Sequence, residues 1–187
     1  ALVACGFIII DEEMSRRGSY FFRYKNKIVE ECLNKSGTIL EYRTYLAGIR
    51  AKHEEDRAFC SVETGITIGW DDENGGYNGT QNEIDCMLMC GVCPIFISCK
   101  NGDIKTEELY KLGTVSEEFG SSYTKAVLLS TTFFDENTAA QNTRTTSPKS
   151  VLKLKRRALD MNIKLISKAN SMGERTFDSA VESLASF

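Results

Sequence analysis

The chain has 187 residues, 42% of them hydrophobic and 26% charged, which suits one globular domain with a full core, or one domain plus an appendage. Its net charge of -3 argues against broad, constitutive nucleic-acid binding but leaves room for a local basic track. No apolar run approaches a membrane span, and "ALVACGFIII" at 1–10 lacks the basic start of a signal peptide.

In chain order, "GFIII", "DEEMSRRGS" and "YFFRYKN" read as a β-hairpin with a long polar loop. In "NKIVEECLNKSG", Ile28, Val29, Cys32 and Leu33 recur at helical spacing, and Gly37 fits the C-terminal stop. "TILEYRTYLAGIRAK" is a second helix, capped by Thr38, with an apolar face of Ile39, Leu40, Tyr42, Leu46 and Ile49. Three strands follow, at 58–70, 82–90 and 94–100, the first ending in the loop "DDENGGYNGT". A tight turn through "CGVCP" joins the last two, with Gly91 making the bend and Pro94 opening the next strand. Residues 105–120 are a helix through Leu109, Leu112, Val115 and Phe119, and the all-apolar run near 125–131 is a buried strand. A polar linker, a helix at about 147–161, the strand "IKLIS" and a helix near 173–185 complete the chain. From 38 to 131 the order is α-β-β-β-α-β, and a helix between the third and fourth strands makes that pair parallel.

Seven cysteines, an odd number set inside apolar runs, predict reduced, buried thiols in a cytoplasmic protein. "CGVC" at 90–93 could also be a redox or zinc motif, discriminated by a reactive thiol at Cys90 or Cys93. A structural zinc needs a second ligand pair, and His53, the one histidine, is far along the chain and reads as an exposed helix-end residue. Trp70 reads as a core anchor ahead of the alternative, a ring that stacks on a base. The Gly-rich stretch 74–79 has no Lys-Ser/Thr and precedes a strand, so it is not a P-loop. "RR" at 16–17 and "KLKRR" at 153–157 are candidate basic tracks, each taken alone a solvated face.

Asp is disfavoured in mid-strand, yet Asp85 sits between Ile84 and Cys86. Ser98 and Lys100, two apart, share a strand face, while Cys99 points the other way and can offer its carbonyl. The "GVC" turn brings Asp85 close to opposite Ser98 or Lys100, and Glu41 can lean over the same spot from its helix. Carboxylates that hold a divalent cation, with a lysine nearby, are what phosphodiester hydrolysis requires.

This arrangement resembles the PD-(D/E)xK nuclease superfamily, with its αβββαβ core, a helix glutamate, a strand acid and (D/E)-x-K on the third strand. Glu41, Asp85 and the "SCK" at 98–100 stand at the matching positions. "GTILEYRTYLA", "NEID", "FISCKNG" and "EELYKLGTVSEEFG" look like the nuclease domain of CRISPR-associated effectors, in which an N-terminal CARF sensor binds a cyclic oligoadenylate. The resemblance implies an α/β fold: a restriction-endonuclease-like core with a mixed central sheet flanked by helices, plus an N-terminal hairpin-helix and C-terminal helices. It implies a connecting region at 1–37 and a nuclease domain at 38–187. The first residue, which is not Met, suggests a piece of a longer protein without its sensor.

The implied activity is metal-dependent cleavage of DNA and/or RNA by a homodimer. Asp85, with Glu83 or Ser98 and the Cys99 carbonyl, would hold Mg²⁺ or Mn²⁺. Lys100 would steady the phosphate, and Glu41 would assist through a water or a second metal. Lys125, Lys153 and Arg156 would hold the nucleic-acid backbone. The chain departs from the family pattern at Ser98, where a carboxylate is expected. A hydroxyl is the weaker ligand, so the change implies reduced metal affinity, a shifted preference toward Mn²⁺, or a nuclease fold that binds without cutting.

Overall fold

The computed structural model describes residues 2–16, 19–35, 37–52, 58–71, 77–102, 104–120, 122–131 and 148–186. His53, the polar linker "DENTAAQNTRTTSP" up to its last residue, the side chain of Trp70 and the start of the Gly-rich stretch lie outside the described residues. The chain divides into two compact units, Ala1–Ile39 and Leu40–Phe187.

In the first unit, β1 (Ile8–Arg16) and β2 (Ser19–Tyr24) pair antiparallel, with Ile8 opposite Tyr24 and Arg16 opposite Ser19. The expected long polar loop is therefore mostly strand. A two-stranded ribbon buries neither face, so polar residues fit it as well as apolar ones. Asn26 caps α1 (Lys27–Asn34) by accepting the Val29 N–H at 2.9 Å, and the helix ends at Asn34, before Gly37.

The second unit is built on a five-stranded sheet in the order β3 (Ser61–Asp71), β4 (Tyr77–Cys90), β5 (Cys93–Lys100), β6 (Lys125–Ser130), β7 (Ile163–Ile166). The first three strands form an antiparallel meander. The last three run parallel, because α3 (Thr106–Gly120) and α4 (Pro148–Asp160) carry the chain back between them. This is the mixed α/β sheet expected from the element order, with β4 beginning earlier, at Tyr77.

Each face of the sheet carries its own core. On one face α2 (Thr38–Lys52) and α5 (Glu174–Glu182) cover Cys86, Leu88, Ile95, Ile97, Cys99, Val127 and Leu129, using Ala47, Ala51, Phe177 and Val181. On the other, α3 and α4 cover Phe96 and Leu128 with Leu109, Leu112, Val115, Val151 and Leu154. The inner face of α2 is Leu40, Thr44, Ala47 and Ala51, whereas Ile39 and Leu46, assigned inward from periodicity, are exposed. Close approach selects the small residues: a Cβ on Gly48 would lie 2.7 Å from Leu88 Cδ2. Two guanidinium groups also tie α2 to the C-terminal region. Arg50 forms a two-pronged pair with Asp178, both contacts 2.6 Å, and Arg43 stacks 4.0 Å from the Phe177 ring.

One irregularity in the sheet positions the site. Val62 belongs to the α2-side core, yet Ile66 and Ile68, of the same parity, pack on the α3 side. On β4, Cys86 and Leu88 face α2 while Ile84 faces α3. The pairs Thr64–Cys86 and Ile66–Ile84 bracket the switch, which falls at Gly65 and Asp85. Gly65 has φ +65°, a left-handed conformation that glycine adopts without cost and that breaks the alternation of a strand. Among the described residues, no helix is long and apolar enough to cross a membrane.

Candidate functional site

Regular pairing of β4 with β5 runs from Cys90–Cys93 to Cys86–Ile97. One step further, the Asp85 side chain takes over. Its Oδ2 accepts the Cys99 backbone N–H at 2.6 Å and the Ser98 hydroxyl at 3.2 Å, and Thr64 Oγ1 donates to the Asp85 carbonyl at 2.8 Å. A half-buried aspartate is tolerated here because its hydrogen-bonding groups are satisfied. In a strand, the N–H and C=O of one residue point to the same side, so the Cys99 carbonyl also faces β4. The Cys99 thiol points to the α2 side, as alternation requires, and lies 3.6 Å from Thr44 Oγ1.

A cleft of about 220 Å³ opens on the α3 side of this spot. Glu83, Asp85, Ser98 and Lys100 line it from the sheet, Glu108 and Lys111 from α3, over Ile84, Ile97, Leu112 and Val115. Lys100 Nζ lies 3.0 Å from Glu108 Oε2, and the other carboxylate oxygen lies 3.8 Å from Lys111 Nζ. Burial would lower the Lys100 pKa, but the Glu108 hydrogen bond and the charge of Asp85 outweigh it and hold the ammonium above its usual range. Burial likewise works against Glu108, and Lys100 outweighs it, so that carboxyl lies below its usual range.

The structure thus brings together three of the candidate side chains, Asp85, Ser98 and Lys100, with the Cys99 backbone beside them, and Glu83 is among the residues that line the same cleft. Sequence reasoning missed Glu108, whose one signal was a pair of acids opening the helix that follows Lys100. Glu41 does not line the cleft. It stands on α2, which covers the opposite face, where burial above all, then the charge of Asp85 and lastly that of Glu41, raises the two buried thiols, Cys86 to about 12 and Cys99 further. Lys125 is at the far end of β6, paired with Ile95 while Ser130 pairs with Lys100. Its ammonium donates to the carbonyls of Leu184 and Ser186 at 3.0 and 2.7 Å, so it does not supply a backbone contact at the cleft. Lys153 and Arg156 are exposed on α4, outside the cleft lining. "CGVC" is a two-residue turn, as expected, and all seven cysteines are free thiols, but only Cys86 and Cys99 are buried: Cys32, Cys90 and Cys93 are partly exposed, and Cys5 and Cys60 are exposed.

Among the described residues, no three His, Cys, Asp or Glu side chains form a group that could enclose a metal ion. The donors near Asp85 are all oxygens: its own carboxylate, the Ser98 hydroxyl, the Cys99 carbonyl, and Glu83 at the cleft wall. That set fits a hard cation such as Mg²⁺ or Mn²⁺, which keeps several waters and is completed by substrate phosphate, and it does not fit an all-protein cage.

No family model and no curated protein matches the chain. Solved structures do. Protein VC1899 from Vibrio cholerae superposes with a TM-score of 0.70 at 14% identity, over 98% of this chain and 40% of that one. Can2 from Sulfobacillus thermosulfidooxidans, solved in complex with cyclic tetra-adenylate, superposes with a TM-score of 0.60 at 15% identity, over 97% of this chain and 44% of that one. The chain therefore spans less than half the length of either protein and shares the fold of the matching part of each.

Proposed function

We propose that the chain carries a metal-dependent phosphodiester-cleaving site for DNA and/or RNA. In this reading it is the effector part of a CRISPR-linked antiviral protein that a cyclic oligoadenylate sensor switches on, acting as a homodimer in the cytoplasm. The observation that carries the proposal is one cleft in which an aspartate, held at a broken strand pairing, faces a half-buried lysine. The shared fold with Can2, itself bound to cyclic tetra-adenylate, supports the sensor-linked context.

Asp85, Glu83 and the Cys99 carbonyl are the groups that would hold Mg²⁺ or Mn²⁺. A cation held there would supply a lowered pKa for a bound water and neutralisation of phosphate charge. Ser98 and the Cys99 N–H fix the Asp85 carboxylate in one orientation. Lys100 places a positive charge where a phosphate oxygen gains negative charge. Glu41 acts from the α2 face, on the far side of the pairing gap. The test is cleavage of labelled single- and double-stranded DNA and RNA with Mn²⁺ or Mg²⁺ by the parent and by Lys100→Ala. Metal-dependent cutting that disappears in the variant supports the site; equal cutting by both rejects it.

A second reading has its own observation. The Ser98 hydroxyl takes up part of Asp85 rather than adding charge, and Lys100 is committed to Glu108. Such a site binds nucleic acid without cutting it. A silent parent beside a cutting Ser98→Glu variant would establish that reading.

A further inference from the structure

The strongest feature outside the cleft is a row of three thiols at the other end of the same sheet. Cys90 and Cys93 are direct partners across the Gly91–Val92 turn. Gly91, with φ +62°, supplies the positive φ that a type II′ hairpin turn needs at its first central position. Cys60 lies on the neighbouring strand side, where its N–H bonds to the Met89 carbonyl at 2.8 Å and its thiol approaches the carbonyls of Met89 and Gly91 at 3.3 and 3.4 Å. Cys90 packs against the α2-side core, and alternation puts Cys93 on that same face, with Ile95, Ile97 and Cys99.

The geometry points to Cys90–Cys93 as a reversible dithiol–disulfide site. Residues directly opposite in an antiparallel pair have Cα atoms about 4.5–5.5 Å apart, inside the Cα range that a disulfide spans. Access is available, because Gly91 and Val92 form an exposed tip. The Lys125 ammonium is within electrostatic reach of both sulfurs and places a positive charge beside them. None of these groups belongs to the cleft: Cys90 is about 17 Å along β4 from Asp85.

The oxidant is a small-molecule disulfide of the glutathione class. One cysteine thiolate attacks it, forming a mixed disulfide and releasing one thiolate. The second cysteine thiolate attacks the protein sulfur of that bond and releases the other. Two cysteine thiols are oxidised to one disulfide, the reagent is reduced to two thiols, and the two cysteine protons end on those thiols.

The test is thiol counting in denaturant, after the native protein has been equilibrated with oxidised glutathione and acid-quenched. The parent is expected to fall from seven thiols to five (7 − 2), and dithiothreitol should restore seven. Cys60→Ser should fall from six to four, while Cys90→Ser and Cys93→Ser should lose no pair. A Cys60–Cys90 bond reverses two of these outcomes, with Cys93→Ser losing two thiols and Cys60→Ser none, and overturns the assignment. Glutathione mass added at single cysteines in place of a closed pair, or seven thiols throughout, also overturns it. Fragment mass spectra of the oxidised parent locate the pair without any variant, so a poorly folding variant leaves the question decidable.

Discussion

The β4–β5 hairpin has two ends made from the same two strands and opposite chemistry. At the turn end, pairing is regular from Cys90–Cys93 to Cys86–Ile97, and the flanking Leu88 and Ile95 have no solvent exposure. At the open end, pairing stops, Asp85 replaces a ladder bond with its side chain, and Ser98, Lys100 and Glu83 gather round a cleft. The difference teaches where this sheet puts its stability and where it gives stability up. Apolar residues that alternate strictly make a ladder; one left-handed glycine, Gly65, lets a charged residue sit in mid-sheet.

The sharpest way to break the comparison is to strike each end and ask which property fails. Lys100→Ala is expected to lower any metal-dependent cleavage at least about 100-fold, the loss typical of removing one electrostatic stabiliser. Its circular dichroism should stay near the parent's, and its melting temperature should fall only by the few degrees that loss of the Glu108 pair costs. Gly48→Leu should do the reverse. Its side chain would be driven into Leu88 and Val62, which costs about 1–3 kcal/mol or more by overpacking. Urea unfolding reads that loss directly. Cleavage per folded molecule that stays at the parent level would confirm that the two ends are separable.

Ser98→Glu sharpens the open end. A second carboxylate beside Asp85 should tighten Mn²⁺ binding about tenfold, which is about 1.4 kcal/mol, read by calorimetry on protein without nucleic acid. The added charge also repels Asp85 in the absence of metal, so the metal-free variant should unfold at slightly lower urea. An unchanged Mn²⁺ affinity would mean that the cation, if bound at all, does not sit at Asp85.

Much of this was legible in the sequence. The α-β-β-β-α-β order followed from apolar periodicity, because each element has one buried stripe or is buried on both faces. Asp85, Ser98 and Lys100 could be brought together by strand alternation and the length of one tight turn. Other features depend on relations that periodicity does not encode. Ile39 and Leu46 looked inward because a hydrophobicity pattern ignores how closely a helix approaches a sheet, and close approach favoured Thr44, Ala47 and Gly48 instead. Periodicity lets Glu41 lean over the spot where Asp85 meets Ser98 or Lys100, because the sequence does not say which face of the sheet α2 covers. Glu108 was passed over because its meeting with Lys100 depends on where the α3 crossover begins. The polar stretch at 11–16 reads as a loop because polarity commonly marks a break, although an exposed ribbon tolerates it.

Glu108→Gln is the smallest and most diagnostic change, because it should appear in pH dependence before it appears in fold. The Glu108 pKa is lowered in the folded protein, so its carboxylate contributes stability above the ordinary carboxylate range and loses it as pH falls through the folded value. The Lys100 pKa is raised, so its contribution is complete below the ordinary lysine range and is lost as pH rises through the raised value. Between those limits the parent should exceed the variant by about 0.5–1 kcal/mol, given a partly exposed pair. At pH 7 the variant should therefore melt a few degrees lower, and the two melting curves should converge as the pH drops below the carboxylate range. A gap that persists in acid would mean that Glu108 stabilises α3 through packing, and that the charge of Lys100 is held by Asp85 instead.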